Sequence, residues 1–137
     1  MEELKDNFLF TRLTPEQIER VSSLAERITL AEGSHLFEQG DDAKRFVLVT
    51  SGQIKLFRLS ADGNEKVIEI LTAGQTFGEA LMFLEHPCYP VCASALIDSE
   101  VISLNSKEFI AMLRKSIDTC FLLMGDMSQR LHGLIKE

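Results

Sequence analysis

Residues 76–91 read TFGEALMFLEHPCYPV and interrupt a run of short β-type segments just after a turn at Gly74. The pair Gly78-Glu79 opens a short apolar stretch with the character of a helical turn. The start of a helix leaves backbone N–H groups without intrahelical partners, and here a carboxylate lies beside them. This arrangement suits a small polar or anionic ligand, so the sequence predicts a pocket at Gly78 and Glu79.

Short segments of β type surround this stretch from Arg27 to Leu104. The candidate strands are residues 27–30, 35–38, 46–50, 54–60, 66–72, 91–97 and 101–104, with glycine turns between several of them. Many short strands joined by glycine turns are typical of an antiparallel sandwich or jelly roll. We therefore expect a mainly-β fold, a double-stranded β-helix with flanking helices.

Helices are expected at both ends of the chain. Thr14 is a good N-cap, Pro15 suits the first helical position, and Gln17 can complete a capping box. After residue 104 the pattern becomes helical again, with a short helix around Phe109 and a long one from about Ile117 to the end.

The long helix carries an apolar seam with the spacing of a heptad repeat. The members of this heptad seam are Ile117, Phe121, Met124, Ser128, Leu131 and Ile135. A second stripe, formed by Cys120, Met127 and Leu134, widens the apolar face beyond what one seam needs. The helix is therefore expected to pack both on its own domain and on a second copy of the chain, which gives a homodimer. Packing on its own domain alone is the alternative.

Composition narrows the class of protein. With 137 residues, 45% of them hydrophobic, the chain fits one globular domain. A net charge of −7 and scattered Lys and Arg residues argue against a nucleic-acid surface in this chain. No apolar run approaches the roughly 20 residues that cross a bilayer. Three cysteines, an odd number with no signal peptide ahead of them, favour a reducing compartment. We expect a soluble, cytoplasmic protein.

Three spaced motifs resemble those of a known family. LFEQGD occupies residues 36–41, SGQIK residues 51–55 and FGE residues 77–79, between the leading helix and the two closing ones. Together they closely resemble the effector domain of CRP/FNR-type bacterial transcription regulators. The resemblance implies a cyclic-nucleotide-binding-like sensor domain at residues 1–115 and a dimerisation helix at residues 116–137. It also implies that DNA is bound only through a winged helix-turn-helix absent from this chain.

Further residues look most like the DNR-type, nitric-oxide-responsive branch of that family. They are EALMF at residues 79–83, Pro87, YPV at residues 89–91 and SQRLH at residues 128–132.

The resemblance also assigns an effector pocket. In cAMP-binding members a Gly-Glu pair holds the ribose, an Arg-Ser pair neutralises the phosphate, and polar residues on the long helix meet the base. The residues at these positions here are Gly78, Glu79, Tyr89, Pro90, Leu134 and Ile135. A buried phosphodiester needs a charge-assisted partner, which Tyr89 and Pro90 cannot supply. We therefore expect a less charged and more apolar effector than cAMP. Alternatively, Glu79 serves only backbone donors or a nearby arginine such as Arg58.

One histidine invites a cofactor hypothesis. His86 lies in the loop where the family's carbon-monoxide-sensing haem regulators have an iron ligand, whereas His35 and His132 suit surface or packing roles. The resemblance thus implies haem, with His86 as the candidate ligand and a haem-bound gas such as nitric oxide as the effector. An exposed loop histidine without a ligand role is the alternative.

Four functional classes remain in view. The first is the sensor domain of a regulator, and the second is a cyclic-nucleotide-binding module with atypical phosphate ligands. The third, a cupin-type enzyme, needs clustered histidine and carboxylate ligands that the isolated histidines do not provide, so we do not expect catalysis. The fourth is a dimerisation module without a ligand.

Overall fold

The strands form two antiparallel sheets of four strands each. The structure, a computed structural model, describes residues 3–4 and 7–136, with side chains described as far as residue 133. The strands are β1 (Glu26–Leu30), β2 (His35–Phe37), β3 (Arg45–Ser51), β4 (Ile54–Leu59), β5 (Glu65–Leu71), β6 (Thr76–Phe77), β7 (Cys92–Ala95) and β8 (Ser99–Asn105). Their order is β1-β8-β3-β6 in one sheet and β2-β7-β4-β5 in the other, which confirms the predicted jelly roll.

Helices precede and follow the strands, and a 3₁₀ turn lies between β6 and β7. They are α1 (Phe8–Thr11), α2 (Pro15–Leu24), a 3₁₀ turn at Ala80–Phe83, α3 (Ser106–Arg114) and α4 (Ile117–Lys136). The predicted capping box begins α2, since the Thr14 hydroxyl accepts from the Gln17 N–H at 3.2 Å and the Gln17 side chain accepts from the Thr14 N–H at 2.9 Å. The one-turn helix α1, capped by the Asn7 side chain, was not predicted.

Strand β3 lies at the centre of the molecule because both of its faces are buried. Successive strand residues point to opposite sides, so Phe46 and Leu48 join the cluster under the helices while Val47 and Val49 join the cluster between the sheets. All four are at most 4% exposed. Strand β8 does the same, with Ile102 and Leu104 under the helices and Val101 between the sheets. The helices are therefore packed directly on the sheet that contains β3 and β8.

Helix α4 presents two apolar faces, as its sequence predicted. On one face Leu123 is 3% exposed, and Cys120 and Met127 pack against the same cluster. On the other face lie the described apolar members of the heptad seam, which are Ile117 (69% exposed), Phe121 (66%), Met124 (49%) and Leu131 (61%). The side chains of Leu134 and Ile135 lie outside the described residues. The packing of α4 on its own domain thus leaves the seam in solvent.

Among the helices of the described chain, none combines the length and the hydropathy that a membrane span requires.

Candidate effector site

Gly78 fixes the start of the candidate pocket. Its φ is +91°, a left-handed conformation that favours glycine, and a Cβ there would lie 3.3 Å from the Arg45 carbonyl oxygen. The Gly78 carbonyl then accepts from the Leu81 N–H at 3.1 Å and starts the 3₁₀ turn. The predicted helical turn is present, but its four residues are too few for an appreciable helix dipole.

Glu79 stands at the N-cap position of this turn and makes no side-chain capping bond. Its Oε2 atom is buried and has no hydrogen-bond partner among the described residues. Arg58, the partner suggested as an alternative, instead donates from Nε to the Pro90 carbonyl at 3.2 Å. Buried carboxylate oxygens are rarely left unpaired, so this atom is available to accept a hydrogen bond from a ligand.

Tyr89 is built into the protein interior. Its hydroxyl donates to the Arg45 carbonyl at 2.7 Å, and its ring stacks on Phe37 with centroids 3.9 Å apart and planes 12° apart. Phe37 stacks in turn on Phe77 at 5.5 Å. Burial, the largest cause, raises the pKa of Tyr89 above its ordinary value of 10.0. The one donor available at the position of the phosphate ligands is therefore already used within the protein.

The residues assigned to the effector pocket differ in their exposure and in their contacts. Gly78 and Tyr89 meet at the Arg45 carbonyl, and the Glu79 carboxylate follows Gly78 directly. Pro90 is exposed, and its carbonyl is occupied by Arg58. Leu134 and Ile135, whose side chains lie outside the described residues, stay a prediction.

His86 lies elsewhere, at a cleft of about 740 Å³ between the 3₁₀ turn, the loop before β3 and helix α3. Of the residues assigned to the effector pocket, the four that the structure describes, Gly78, Glu79, Tyr89 and Pro90, do not line this cleft. His86 is exposed and has a positive φ of 50°, the one such non-glycine residue in the described chain. The neighbouring backbone is fixed, since the Ala43 N–H donates to the Pro87 carbonyl at 2.9 Å and the Tyr89 N–H donates to the Asp41 carbonyl at 2.9 Å.

The cleft combines an apolar wall with a cationic edge. The apolar residues are Ala43, Met82, Leu84, Pro87, Ile110 and Ala111, the charged ones Asp42, Lys44, Lys107 and Arg114, and Asn105 and Ser106 are also in the wall. The Ser106 N–H donates to the Lys44 carbonyl at 3.0 Å, which joins the start of α3 to the loop before β3. This cleft was not predicted, because its walls come from three separate segments of the sequence, residues 42–44, 82–87 and 105–114. The one local signal is the spacing of Lys107, Ile110, Ala111 and Arg114, which places them on one helix face.

Within the described residues, no three or more His, Cys, Asp or Glu side chains are grouped so that they could hold a metal ion.

Comparison with known proteins identifies the family of this chain. Residues 27–116 match the family described as "Cyclic nucleotide-binding domain". The "Cyclic AMP receptor protein" of Thermus thermophilus is 31% identical over 112 residues, which cover 82% of this chain and 51% of that protein. The "Anaerobic regulatory protein" of Bacillus subtilis is 28% identical over 134 residues, covering 93% of this chain and 56% of that protein. The chain therefore spans about half the length of these relatives.

A solved structure extends the similarity to nearly the whole chain. The sensor domain of the transcriptional regulator DNR from Pseudomonas aeruginosa has a TM-score of 0.86 and 31% identity, covering 99% of this chain and 91% of that one.

Replacing Tyr89 by Phe tests whether its hydroxyl is a structural group. The variant keeps the ring stack but leaves the Arg45 carbonyl without this donor, so we expect the free energy of unfolding at pH 7 to fall by about 1–2 kcal/mol. Urea unfolding measures the change.

The difference between the two proteins should also depend on pH. Because the folded protein has the higher Tyr89 pKa, this contribution is fully present below about pH 10, the ordinary value, and is lost as pH rises through the folded pKa. Tyr89 is the single tyrosine and the chain has no tryptophan, so absorbance at the tyrosinate band follows it alone. Equal stability of both proteins at pH 7 would show that the hydroxyl is free for a ligand.

Proposed function

This chain belongs to the cyclic nucleotide-binding domain family, its relatives are CRP/FNR-type regulators, and from this premise we propose that it is the effector-sensing and dimerisation domain of a bacterial transcription regulator. The observation that carries the proposal is the exposed apolar seam of α4, on the face turned away from the core. Two copies that pair through this seam in parallel would bury it. DNA would be contacted by a domain outside the chain.

Only a short segment joins the helix that borders the cleft, α3, to the helix that carries the seam, α4. Helix α3 borders the cleft at His86, ends at Arg114, and is followed by α4 from Ile117. Cys120 on α4 also donates from Sγ to the Leu113 carbonyl at 3.1 Å. A ligand that prefers one position of α3 would thereby shift how two α4 helices pair, since a ligand stabilises the state that it binds more tightly.

The effector that we propose is a haem-bound gas such as nitric oxide. The likeness to the DNR sensor domain supports this choice. Tyr89 and Pro90 themselves carry no positive charge for a phosphate, and the nearby Arg58 already donates from Nε to the Pro90 carbonyl. The surroundings of His86 fit a haem, because an exposed imidazole lies beside the apolar side chains of Met82 and Leu84. His86 would be the iron ligand, and the haem when bound supplies the iron that holds the gas. A haem held by His86 would lie beside α3, whereas the effector pocket that the resemblance assigns includes Tyr89 and the end of α4.

A cyclic nucleotide is the second candidate. The family match and the unpaired Oε2 of Glu79 favour it, because a ribose hydroxyl could donate to that atom. The phosphate would then need partners other than Tyr89 and Pro90. Saturable cAMP binding at micromolar concentration would favour this candidate over haem.

The dimer is tested by replacing both Phe121 and Leu131 with Glu. Both side chains are exposed in the single chain, so the domain should stay folded, while a paired seam would have to bury like charges at a cost of several kcal/mol. We expect sedimentation to show a dimer for the original chain and a monomer for the variant.

The matched control carries the same two added charges on the same helix, in Leu122→Glu with Gln129→Glu, outside the heptad seam. It should remain a dimer. A dimer in the seam variant would locate the interface elsewhere, and a monomeric original chain would contradict the proposal.

The haem ligand is tested by comparing the original chain with His86→Ala. We expect haem to give the original chain a Soret band whose position shifts on addition of nitric oxide, and His86→Ala to lose that band position and at least about tenfold in affinity. His35→Ala, a substitution of another exposed histidine away from the cleft, is the control. Unchanged spectra and affinity in His86→Ala would remove His86 as the ligand, and His132→Ala would then be examined.

A further inference from the structure

The charges of the cleft beside α3 differ in sign from those of the whole protein. The chain has 21 Asp and Glu residues against 14 Lys and Arg, yet the cleft is lined by three cations, Lys44, Lys107 and Arg114, and by one acid, Asp42. None of these three cations has an ion-pair partner in the part of the chain that the structure describes. A concentration of unpaired positive charge in an acidic protein favours an anionic ligand.

The face of α3 that lines the cleft has charged residues at its two ends and apolar residues between them. Lys107, at its second position, and Arg114, at its last, are about 10 Å apart along the axis. Ile110 and Ala111 lie between them on the same face, opposite the apolar wall that includes Met82. A ligand in this cleft therefore meets hydrocarbon in the middle and positive charge at the edge.

The edge at the start of α3 offers more than one donor. Lys44 and Lys107 both line it, because the Ser106 N–H donates to the Lys44 carbonyl and holds the two segments together. The Ser106 hydroxyl, which is buried in the same wall, has no hydrogen-bond partner among the described residues. Two lysines and an unpaired hydroxyl along one edge supply several donors, which matches the several acceptor sites of a carboxylate.

We infer that this cleft binds an apolar carboxylate, whose body packs on Ile110, Ala111 and Met82 and whose carboxylate pairs with Lys44 and Lys107. Haem, with its two propionates, belongs to this class, and in that respect the inference rests on the proposed function. It adds the anion-binding residues and needs neither iron nor a bond to His86.

Metal-free protoporphyrin IX is the probe that separates the two proposals, because it keeps both carboxylates and has no iron. Its fluorescence is titrated with the original chain and with Lys44→Gln/Lys107→Gln. We expect saturable binding that weakens about tenfold in this double variant and falls with added salt. The control is Lys66→Gln/Lys115→Gln, which removes the same charge from two exposed lysines outside the cleft and should bind as the original chain does.

Two further ligands complete the test. The dimethyl ester of protoporphyrin IX has no carboxylates, so its affinity should be the same for the original chain and the Lys44→Gln/Lys107→Gln variant. Dodecanoate should displace protoporphyrin IX if the cleft takes apolar carboxylates generally, and a failure to displace narrows the class to porphyrins. Equal protoporphyrin affinity in the original chain and the double variant would overturn the inference, even if haem binds through His86. Conversely, a haem spectrum that does not depend on His86 leaves this inference intact and removes the iron ligand of the proposed function.

Discussion

The packing of α4 against the core decides which of its apolar side chains are buried and which stay exposed. Leu123 lies in the same buried cluster as Phe109 and Leu113 of α3, and Cys120 and Met127 pack beside it. Once these side chains face the core, the heptad seam stays in solvent, because it lies on an adjacent face of the helix, roughly a quarter-turn around the axis. Burying one large apolar side chain contributes about 1.5–3 kcal/mol, so four such side chains in water are a substantial driving force for pairing. The fold thus leaves the apolar seam exposed, as the proposed dimer requires.

Aromatic side chains pack together at the end of the roll where the effector pocket was assigned. At the position that the resemblance assigns to a phosphate partner, Tyr89 stacks on Phe37 and its hydroxyl donates to the Arg45 carbonyl. Its ring therefore fills space and its hydroxyl satisfies the backbone of the central strand. The exposed, positively charged cleft beside α3 lies apart from these residues and borders the helix that leads into α4. A ligand there would be close to α4 without entering the roll.

Local patterns in the sequence were sufficient for much of the fold. The capping box at Thr14, seven of the eight strands and the two stripes of α4 all follow from spacing, because each depends on residues close together in the chain. Strand β6 was not predicted, since its two residues show no alternation. Helix α1 was missed since four residues give no helical period. The candidate site was harder to predict from the sequence. Tyr89 was assigned to a pocket, and the sequence does not reveal that its ring stacks on Phe37 from another strand. His86 lies at a cleft bordered by α3, a contact that local spacing does not reveal.

Cross-linking through a single seam position tests the pairing of α4 most directly. In a parallel pair, equivalent seam residues face each other across the axis, so Ser128→Cys, made with Cys88→Ser to remove the exposed thiol, should form a disulfide dimer on mild oxidation. Gln129→Cys in the same background is also exposed on α4 but lies outside the heptad seam, and it should stay monomeric on a non-reducing gel. A disulfide dimer with Ser128→Cys alone is the predicted result. Equal cross-linking at both positions, or none at Ser128→Cys, would contradict the account.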